Sequence, residues 1–288
     1  MKYIFFGTPE FAAIVLEKLI NTGYIPEAVI CNPDEPVGRK QILTSPPVKR
    51  LIANSGQLIE IFQPVNKSGL LAISRKLLAI KPDLAIIAAY GKIIPKEILD
   101  IPRYGTLNVH GSLLPKYRGA SPIQHAILNG DKETGVTIMK IDEEMDHGNI
   151  ISNLKTQISK VDTYDSLSQK LAISGAKLLI KIIPDYISGR IKPIEQDHSK
   201  ATYTKIIKKE DGKIDWSKSA EEIERMTRAF YPWPTAWTTW NGKILKILEA
   251  EVCGNNLAIK KLQLEGGKIL SIREFLNGHK DFSVACLK

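Results

Sequence analysis

Asn108 and His110 are the residues whose types and spacing best suit chemistry. They lie in the pattern TLNVH, residues 106–110, where Leu107 and Val109 alternate with the two polar residues. This alternation predicts a short strand whose Asn and His side chains share one face. An amide donor beside an imidazole suits acyl transfer, in which an oxyanion is stabilised and an amine loses a proton. A strand end with two solvated polar residues fits the same pattern, so the spacing alone leaves both interpretations open.

The strand that carries this pair is predicted to belong to a mostly parallel, Rossmann-like α/β sheet. An apolar run ends at Gly7, and a helical pattern follows it and stops at Gly23, which indicates a βαβ unit. The almost wholly apolar segment 84–90 predicts a strand buried on both faces, as in parallel sheets covered by helices. Ligands of such sheets bind at the carboxyl ends of the strands, so we expect both strand ends at the site.

Several other classes of protein are disfavoured. The chain lacks GxGxxG and GxxxxGK[ST], which weighs against dinucleotide-binding and P-loop proteins. Its 3 cysteines, Cys31, Cys253 and Cys286, are widely spaced and form no CxxC pair, and there is no HExxH, so we expect no metal and no disulfide framework. We expect no membrane span, since no apolar run of about 18 residues occurs, and no targeting segment, since Met1 leads directly into a strand pattern. The cysteine usage fits a cytoplasmic location.

The positive charge favours a polyanionic partner. The formal net charge is +9 and the isoelectric point about 9.3, and the excess is denser in the last third of the chain. The loop 32–47 is rich in Pro, Gly and charge and is longer than most connections of its kind. Arg39 and Lys40 lie near its middle. From the residues alone, two incidental cations on a surface loop are the preferred interpretation.

A second, smaller domain is predicted at the carboxyl-terminal end. A long helical pattern stops at Gly189, and a hairpin pattern over 236–252 has Asn241-Gly242 at its turn. Two more short strand patterns follow, which favours a small OB-like β-barrel. The predicted division is 1–189 for the first domain, 190–204 for a linker and 205–288 for the second domain.

Four segments of the chain resemble the formyltetrahydrofolate-dependent transformylase family. SLLPKYRGASP, residues 112–122, is similar to the SLLPxxRGxxP signature of that family. FFGTPEFA, PVGRKQILTSPPVK and FYPWPTAW also resemble the family, and most closely its members that act on methionyl-tRNA. The resemblance extends over almost the whole chain, and the four segments together are far more specific than any one of them.

The resemblance implies roles for particular residues. It implies 10-formyltetrahydrofolate as co-substrate, initiator methionyl-tRNA as partner, formyl transfer as the reaction, and a chain that acts as a monomer without a metal or a membrane. The implied catalytic residues are Asn108, His110 and Asp146. The implied folate-binding residues are Ser112, Leu113, Leu114, Pro115, Tyr90 and Gly91. The expected tRNA-binding residues are Arg39, Lys40, Lys205, Lys208 and Lys209.

Two departures from the family pattern leave alternatives open. His147 stands beside Asp146 where the family often has Thr, and only residues 253–256 separate the hairpin from the next strand, where a typical member has a further hairpin. We therefore expect a reduced barrel. The alternatives are formyl transfer to another amine, such as a sugar nucleotide or glycinamide ribonucleotide, hydrolysis of formyltetrahydrofolate, and a non-catalytic RNA-binding protein.

Overall fold

The computed structural model describes residues 1–38 and 40–283. The strands are β1 (Tyr3–Gly7), β2 (Ala28–Ile30), β3 (Glu35–Val37), β4 (Ile42–Thr44), β5 (Glu60–Phe62), β6 (Leu84–Ala88), β7 (Thr106–His110), β8 (Arg118–Gly119), β9 (Glu133–Lys140), β10 (Ile150–Gln157), β11 (Tyr203–Thr204), β12 (Ala236–Trp240), β13 (Lys243–Cys253), β14 (Asn256–Leu264) and β15 (Ile269–Ser271). The helices are α1 (Glu10–Asn21), α2 (Pro47–Ser55), α3 (Lys67–Ala72), α4 (Ser74–Ile80), α5 (Lys96–Leu99), α6 (Pro122–Leu128), α7 (Tyr164–Ile187), α8 (Ala220–Ala229) and α9 (Ile272–Gly278).

The chain divides into two compact units. The first comprises Met1–Gly119, Gly135–Thr156 and Ser168–Tyr203, and the second comprises Ala120–Thr134, Gln157–Leu167 and the chain from Thr204 onward. The predicted boundaries at residues 189 and 204 stay a prediction.

A seven-stranded sheet forms the centre of the first unit, in the order β10-β9-β7-β6-β1-β2-β5. The strands from β7 to β5 in this order pair in parallel, and β9 is antiparallel to β7. The predicted α/β class with a mostly parallel sheet is therefore confirmed. Strand β6 is buried at all five positions, as its apolar sequence predicts. The chain passes from β5, at one edge of the sheet, to β6 on the other side of β1, so the strand order reverses between β1 and β6.

The register of the strands places Asn108 of β7 in a row of apolar side chains that runs across the sheet. Phe6 of β1 lies beside Ile87 of β6, Ile87 lies beside Asn108 of β7, and Asn108 lies beside Met139 of β9. Phe6 and Ile87 belong to a cluster of buried apolar side chains on this face. The buried row therefore becomes polar at Asn108.

The opposite face of β7 is covered by α7. A Cβ atom added at Gly175 of this helix would lie 2.7 Å from Val109 and 3.0 Å from Val136. Any larger side chain would push the helix away from β7, because packed interiors leave no room for an added methyl group. Gly175 thus lets the helix backbone rest directly against the strand that carries the candidate site.

One segment predicted as a continuous helix is interrupted in the structure. The apolar spacing of residues 68–80 predicts a single helix, but in the structure Ile73 separates α3 from α4. The side chain of Asn66 accepts a hydrogen bond from the Gly69 amide at 3.0 Å and so caps α3. The apolar spacing continues through the break, so periodicity alone does not detect it.

The second unit contains a four-stranded antiparallel sheet in the order β12-β13-β14-β15. Asn241 and Gly242 both have positive φ, 48° and 73°, as a two-residue hairpin turn requires. Helix α8 begins with a capping box, in which Ser219 and Glu222 bond each other's backbone amides. The predicted small carboxyl-terminal β domain is confirmed in this sheet.

An aromatic cluster, Trp240, Phe275, His279 and Phe282, joins α9 to the sheet of the second unit. The ring of Phe275 is 1% exposed and lies 5.5 Å from Trp240 and 5.1 Å from Phe282, centroid to centroid. Both pairs are edge-to-face, a favourable arrangement for aromatic rings. Among the helices of residues 1–38 and 40–283, none is both long enough and apolar enough to span a membrane.

Candidate active site

The polar residues of β7 face the loop that carries Asp146. Asn108 is 9% exposed and His110 is 5% exposed, so both side chains are buried. The Asn108 amide nitrogen lies 3.4 Å from Oδ1 of Asp146, and Nδ1 of His110 lies 3.6 Å from Oδ2 of the same carboxylate. The structure thus brings the three residues expected to be catalytic into one cluster.

The hydrogen bonds of His110 constrain its protons. Nε2 lies 2.9 Å from the backbone oxygen of Tyr117, which can only accept a hydrogen bond. Nε2 therefore carries a proton, and Nδ1 is the nitrogen that faces Asp146. A second proton on Nδ1 gives an imidazolium whose two N–H groups point at a carbonyl and a carboxylate. The arrangement is therefore complementary to the charged imidazole, and Asp146 supplies the opposite charge.

Asp146 is held at both its backbone and its side chain. Its φ is +49°, a left-handed conformation that non-glycine residues adopt uncommonly and that Asp tolerates better than most. Oδ2 accepts a 2.7 Å hydrogen bond from the backbone amide of Gly119. The side chain of Gln196 donates to the backbone oxygen of Asp146 at 2.9 Å and to that of Gly148 at 2.7 Å. These contacts fix the direction in which the carboxylate points.

Sequence reasoning assigned no role to Arg118 or Gln196. Arg118 is 1% exposed, and its Nε and Nη2 donate to Oε1 of Gln196 at 3.1 and 2.8 Å. Arg118 lies in the RG pair of the family signature, so the sequence did contain a signal that this residue has a role. Gln196 lies in no recognised pattern, and only the folded chain brings it to the Asp146 loop.

His147 makes contacts that a Thr could not reproduce. Its Nδ1 lies 2.7 Å from Oδ2 of Asp142, and its ring stacks on His198 with centroids 4.0 Å apart and planes 3° from parallel. Nδ1 of His198 accepts a 2.7 Å hydrogen bond from Nη2 of Arg118. The departure from the family pattern at residue 147 is therefore accommodated by a local network.

The loop after β7 uses most of its polar groups internally. The Ser112 hydroxyl donates to the backbone oxygen of Lys116 at 2.6 Å, and the Ser112 carbonyl accepts from Thr137 at 2.7 Å. Ser112 and Leu114 are buried, whereas Leu113 and Pro115 are partly exposed. In this loop the Ser112 side chain therefore shapes the backbone.

Tyr90 and Gly91 follow β6 at the carboxyl edge of the sheet. Tyr90 is 2% exposed, and its ring meets Phe6 edge-on with centroids 5.5 Å apart. Burial raises the pKa of the Tyr90 hydroxyl, and the charge of a nearby Cys31 thiolate raises it further. The hydroxyl oxygen is buried without a hydrogen-bond partner among the described residues, as is Oδ1 of Asn32 after β2. Such orphaned atoms are uncommon and are expected to find partners in a ligand or in water.

The long loop predicted at 32–47 contains the hairpin of β3 and β4. Lys40 is exposed at its turn, and Arg39 lies outside the described residues. Three apolar side chains of the hairpin are also exposed: Val37, Ile42 and Leu43. The base of the hairpin is held by a loop clamp composed of Asp34, Ser45, Lys49 and Gln63.

Asp34 is the centre of the loop clamp. Lys49 binds its two carboxylate oxygens at 2.8 and 2.9 Å, Ser45 donates at 2.9 Å, and Gln63 donates at 2.9 Å. These hydrogen bonds, that of Lys49 first, lower the pKa of Asp34 to about 2. The clamp ties both ends of the loop to α2 and to the residue after β5, so the hairpin has a fixed base.

The three lysines expected to contact tRNA lie in the second unit. Lys205, Lys208 and Lys209 are all exposed. Their amines are therefore available to an external anion, and the contribution of each to tRNA binding stays a prediction.

Comparison with known proteins assigns the class that this fold and site define. Residues 1–183 match the family described as formyl transferase, and residues 206–256 match the formyl transferase C-terminal domain. The chain belongs to the formyl transferase family, which confirms the resemblance seen in the sequence. Within it, a methionyl-tRNA formyltransferase of Bacillus velezensis is 48% identical over 250 residues, or 87% of this chain and 78% of the relative. One of Caldicellulosiruptor saccharolyticus is 42% identical over 307 residues, covering 97% of each chain.

A solved structure shares the fold at low identity. The N-formyltransferase of Helicobacter canadensis, in complex with folinic acid and dTDP-3-aminofucose, aligns with a TM-score of 0.67 and 21% identity. The alignment covers 94% of this chain and 98% of that one. This likeness establishes the formyltransferase fold.

Proposed function

We propose that this chain transfers the formyl group of 10-formyltetrahydrofolate to the free α-amine of initiator methionyl-tRNA, giving N-formylmethionyl-tRNA for the start of translation. The observation that carries the proposal is the convergence of Asn108, His110 and Asp146 on one buried cluster. The identity of 42–48% to proteins named methionyl-tRNA formyltransferase supports this acceptor.

Each member of the cluster has a role that follows from its chemistry. The bound folate supplies an activated formyl group. The Asn108 amide and the His110 imidazolium stabilise negative charge that develops on the formyl oxygen as the amine attacks. The proton that the amine loses passes through a water to the folate nitrogen, whose bond to the formyl carbon breaks, while Asp146 keeps the imidazolium oriented. The low exposure of both β7 residues strengthens these interactions, because water screens them less.

The carboxyl edge of the sheet has groups that fit a folate. A pterin ring presents both hydrogen-bond donors and acceptors, so it needs polar atoms that are not already paired. The buried Tyr90 hydroxyl is one such atom and lies directly before Gly91, whose φ of 79° turns the backbone at that edge. Tyr90, Gly91 and the loop 112–115 are therefore the residues we assign to folate.

The β3–β4 hairpin suits a nucleic acid. Lys40 offers a charge for a phosphate, and exposed apolar side chains beside it offer surfaces for bases. The loop clamp at its base lets the hairpin present these groups at a constant position. We assign Arg39 and Lys40 to the acceptor end of the tRNA, and the three lysines of the second unit to its phosphates.

The test is formyl transfer from radiolabelled 10-formyltetrahydrofolate by the full chain, with several acceptors offered in parallel. These are initiator methionyl-tRNA, an elongator methionyl-tRNA, free methionine, a dTDP-amino sugar and water. We expect transfer to initiator methionyl-tRNA at the highest kcat/KM, and a rate on the order of 10²–10⁴-fold lower in a folded His110→Ala variant. Preferred transfer to the amino sugar, or release of formate without an acceptor, would replace the proposal with the corresponding alternative.

A second measurement tests the tRNA contacts. Replacing Lys205, Lys208 and Lys209 by Ala should raise KM for tRNA, leave KM for folate unchanged and flatten the salt dependence, by about 0.9 in slope per lost phosphate contact if duplex B-DNA is the guide. The matched control removes the same charge from three exposed lysines without an assigned role: Lys177, Lys181 and Lys192. Equal effects in the two variants would show a general charge effect and no specific contact.

A further inference from the structure

We infer that Gln196 is a positioning residue for catalysis, which acts by holding Asp146 and is itself held by Arg118. The inference deepens the proposed function, since it concerns the same site and rests on the same reaction. Gln196 and Arg118 lie far apart in the sequence, and together they hold Asp146 in position, which the reacting groups cannot do alone.

The amide of Gln196 joins the two ends of the segment 146–148. It is 4% exposed, and its nitrogen donates one hydrogen bond to the carbonyl of Asp146 and the other to the carbonyl of Gly148. Both hydrogens of the amide are therefore used, and both acceptors are backbone atoms of the segment that carries the carboxylate.

Arg118 fixes which way this amide points. Its guanidinium has only donors, and two of them meet Oε1 of Gln196. The two carbonyls on the other side accept only, so they require the amide nitrogen. A single orientation of the Gln196 amide satisfies both sides. The next residue, Gly119, donates its amide directly to the Asp146 carboxylate at 2.7 Å, so the Arg118–Gly119 pair acts on Asp146 by two routes.

The segment needs this support because of its conformation. Asp146 has a φ of +49°, and a Cβ atom added at Gly148 would lie 1.9 Å from the backbone oxygen of Lys140. Asp146, at one end of the segment, is thus held in a left-handed conformation. Gly148, at the other end, lies directly against strand β9. The residues before the segment, from Glu143 to Met145, are exposed and offer it little packing.

Loss of the Gln196 donors should therefore move the Asp146 carboxylate relative to His110. Their nearest nitrogen and oxygen atoms lie 3.6 Å apart, so a shift of about 1 Å changes the interaction substantially. Misplacement on this scale costs on the order of 10²-fold in rate. We expect kcat to fall about 10- to 100-fold, with KM for folate and for tRNA within about twofold of wild type, because the amide oxygen and both amide hydrogens of Gln196 are already bonded within the protein.

The test is a double-mutant cycle in single-turnover formyl transfer, using Gln196→Met and Asp146→Asn in the full chain. If Gln196 acts through the carboxylate, Gln196→Met should lower the rate strongly in the wild type and less than about threefold in the Asp146→Asn background. A merely structural role would give the same factor in both backgrounds. Equal factors, or a Gln196→Met variant with wild-type kcat, would overturn the inference.

A second variant covers the case in which Gln196→Met does not fold. Gln196→Glu keeps an acceptor for Arg118 and removes the donors to the two carbonyls, so it should remain folded and lose at least as much kcat as Gln196→Met. A folded Gln196→Glu variant with wild-type kcat would also overturn the inference. The matched control is Gln263→Met, which removes a 3.0 Å amide bond to the Gly267 carbonyl in a turn of the second unit and should leave kcat unchanged.

Different outcomes would refute the proposed function and the role of Gln196. If the wild-type chain does not formylate methionyl-tRNA, the proposed function is wrong, and the cycle is run with whichever acceptor the wild type uses. If the wild type is active and the cycle is additive, the proposed function stands and the role of Gln196 falls.

Discussion

Replacing Asp146 by Asn tests the electrostatic part of the site. The substitution keeps the shape of the side chain and an oxygen that can accept from the Gly119 amide, but it removes the negative charge beside His110. Two unit charges 3.6 Å apart, at an effective dielectric constant of about 20, attract by about 5 kcal/mol. The Asp146 side chain is 16% exposed, so screening by water is limited.

If that attraction stabilises the imidazolium in the transition state, its loss corresponds to a fall in kcat between about 10³- and 10⁴-fold. The assay is single-turnover formyl transfer with both substrates saturating, and circular dichroism establishes that the variant is folded. The matched control is Asp142→Asn, which removes a carboxylate 2.7 Å from another imidazole, that of His147, and should change kcat less than about threefold. A folded Asp146→Asn variant within tenfold of the wild-type kcat would refute the reasoning.

Three further outcomes are expected. Asn108→Ala should lower kcat by on the order of 10²–10³, as loss of an oxyanion donor does, whereas a change in KM alone would make Asn108 a binding residue. Because the pKa of Asp34 is lowered in the folded chain, its stabilising contribution is present above the ordinary value of about 3.9 and is lost as the pH falls through about 2. The difference in Tm between wild type and Asp34→Asn should therefore be present at pH 7 and shrink between pH 4 and pH 2, and a constant difference would contradict this. Phe275→Ala should cost about 3–5 kcal/mol in the unfolding free energy of the second unit, measured with urea, because the ring is buried in the aromatic cluster. The neighbouring Leu276→Ala, at a position 38% exposed, is its control and should cost far less.

Much of the secondary structure could be predicted from the sequence because its signals are local. The alternation in residues 106–110 gave a strand with two polar residues on one face, and the apolar run after residue 83 gave a buried strand. The Asn241-Gly242 pair gave a hairpin turn for the same reason, since positive φ at both positions favours those residue types. In each case the local conformation is determined by residues that lie close together in the sequence.

The parts that could not be predicted depend on contacts between distant segments. Gln196 lies 50 positions from Asp146 along the chain, and no periodicity or motif marks it as a partner. The family signature includes Arg118, but the signature is compatible with several roles for a cation at that position. The burial of Arg118 in the structure distinguishes between these roles. The stacking of His147 on His198 likewise depends on how two loops pack, which neither local pattern encodes.

The support that Gln196 gives to Asp146 has a consequence for the order in which the nascent chain becomes active. Strand β7 and the carboxylate loop are both synthesised before residue 150, yet the side chain that fixes the loop appears almost fifty residues later. Thr202, whose backbone oxygen accepts from the Arg118 amide at 2.8 Å, appears later still. A fragment ending at residue 189, after the long helix, would contain every reacting group but neither of these contacts. Full catalytic competence is thus expected to arise during synthesis only once the segment through Thr202 has left the ribosome.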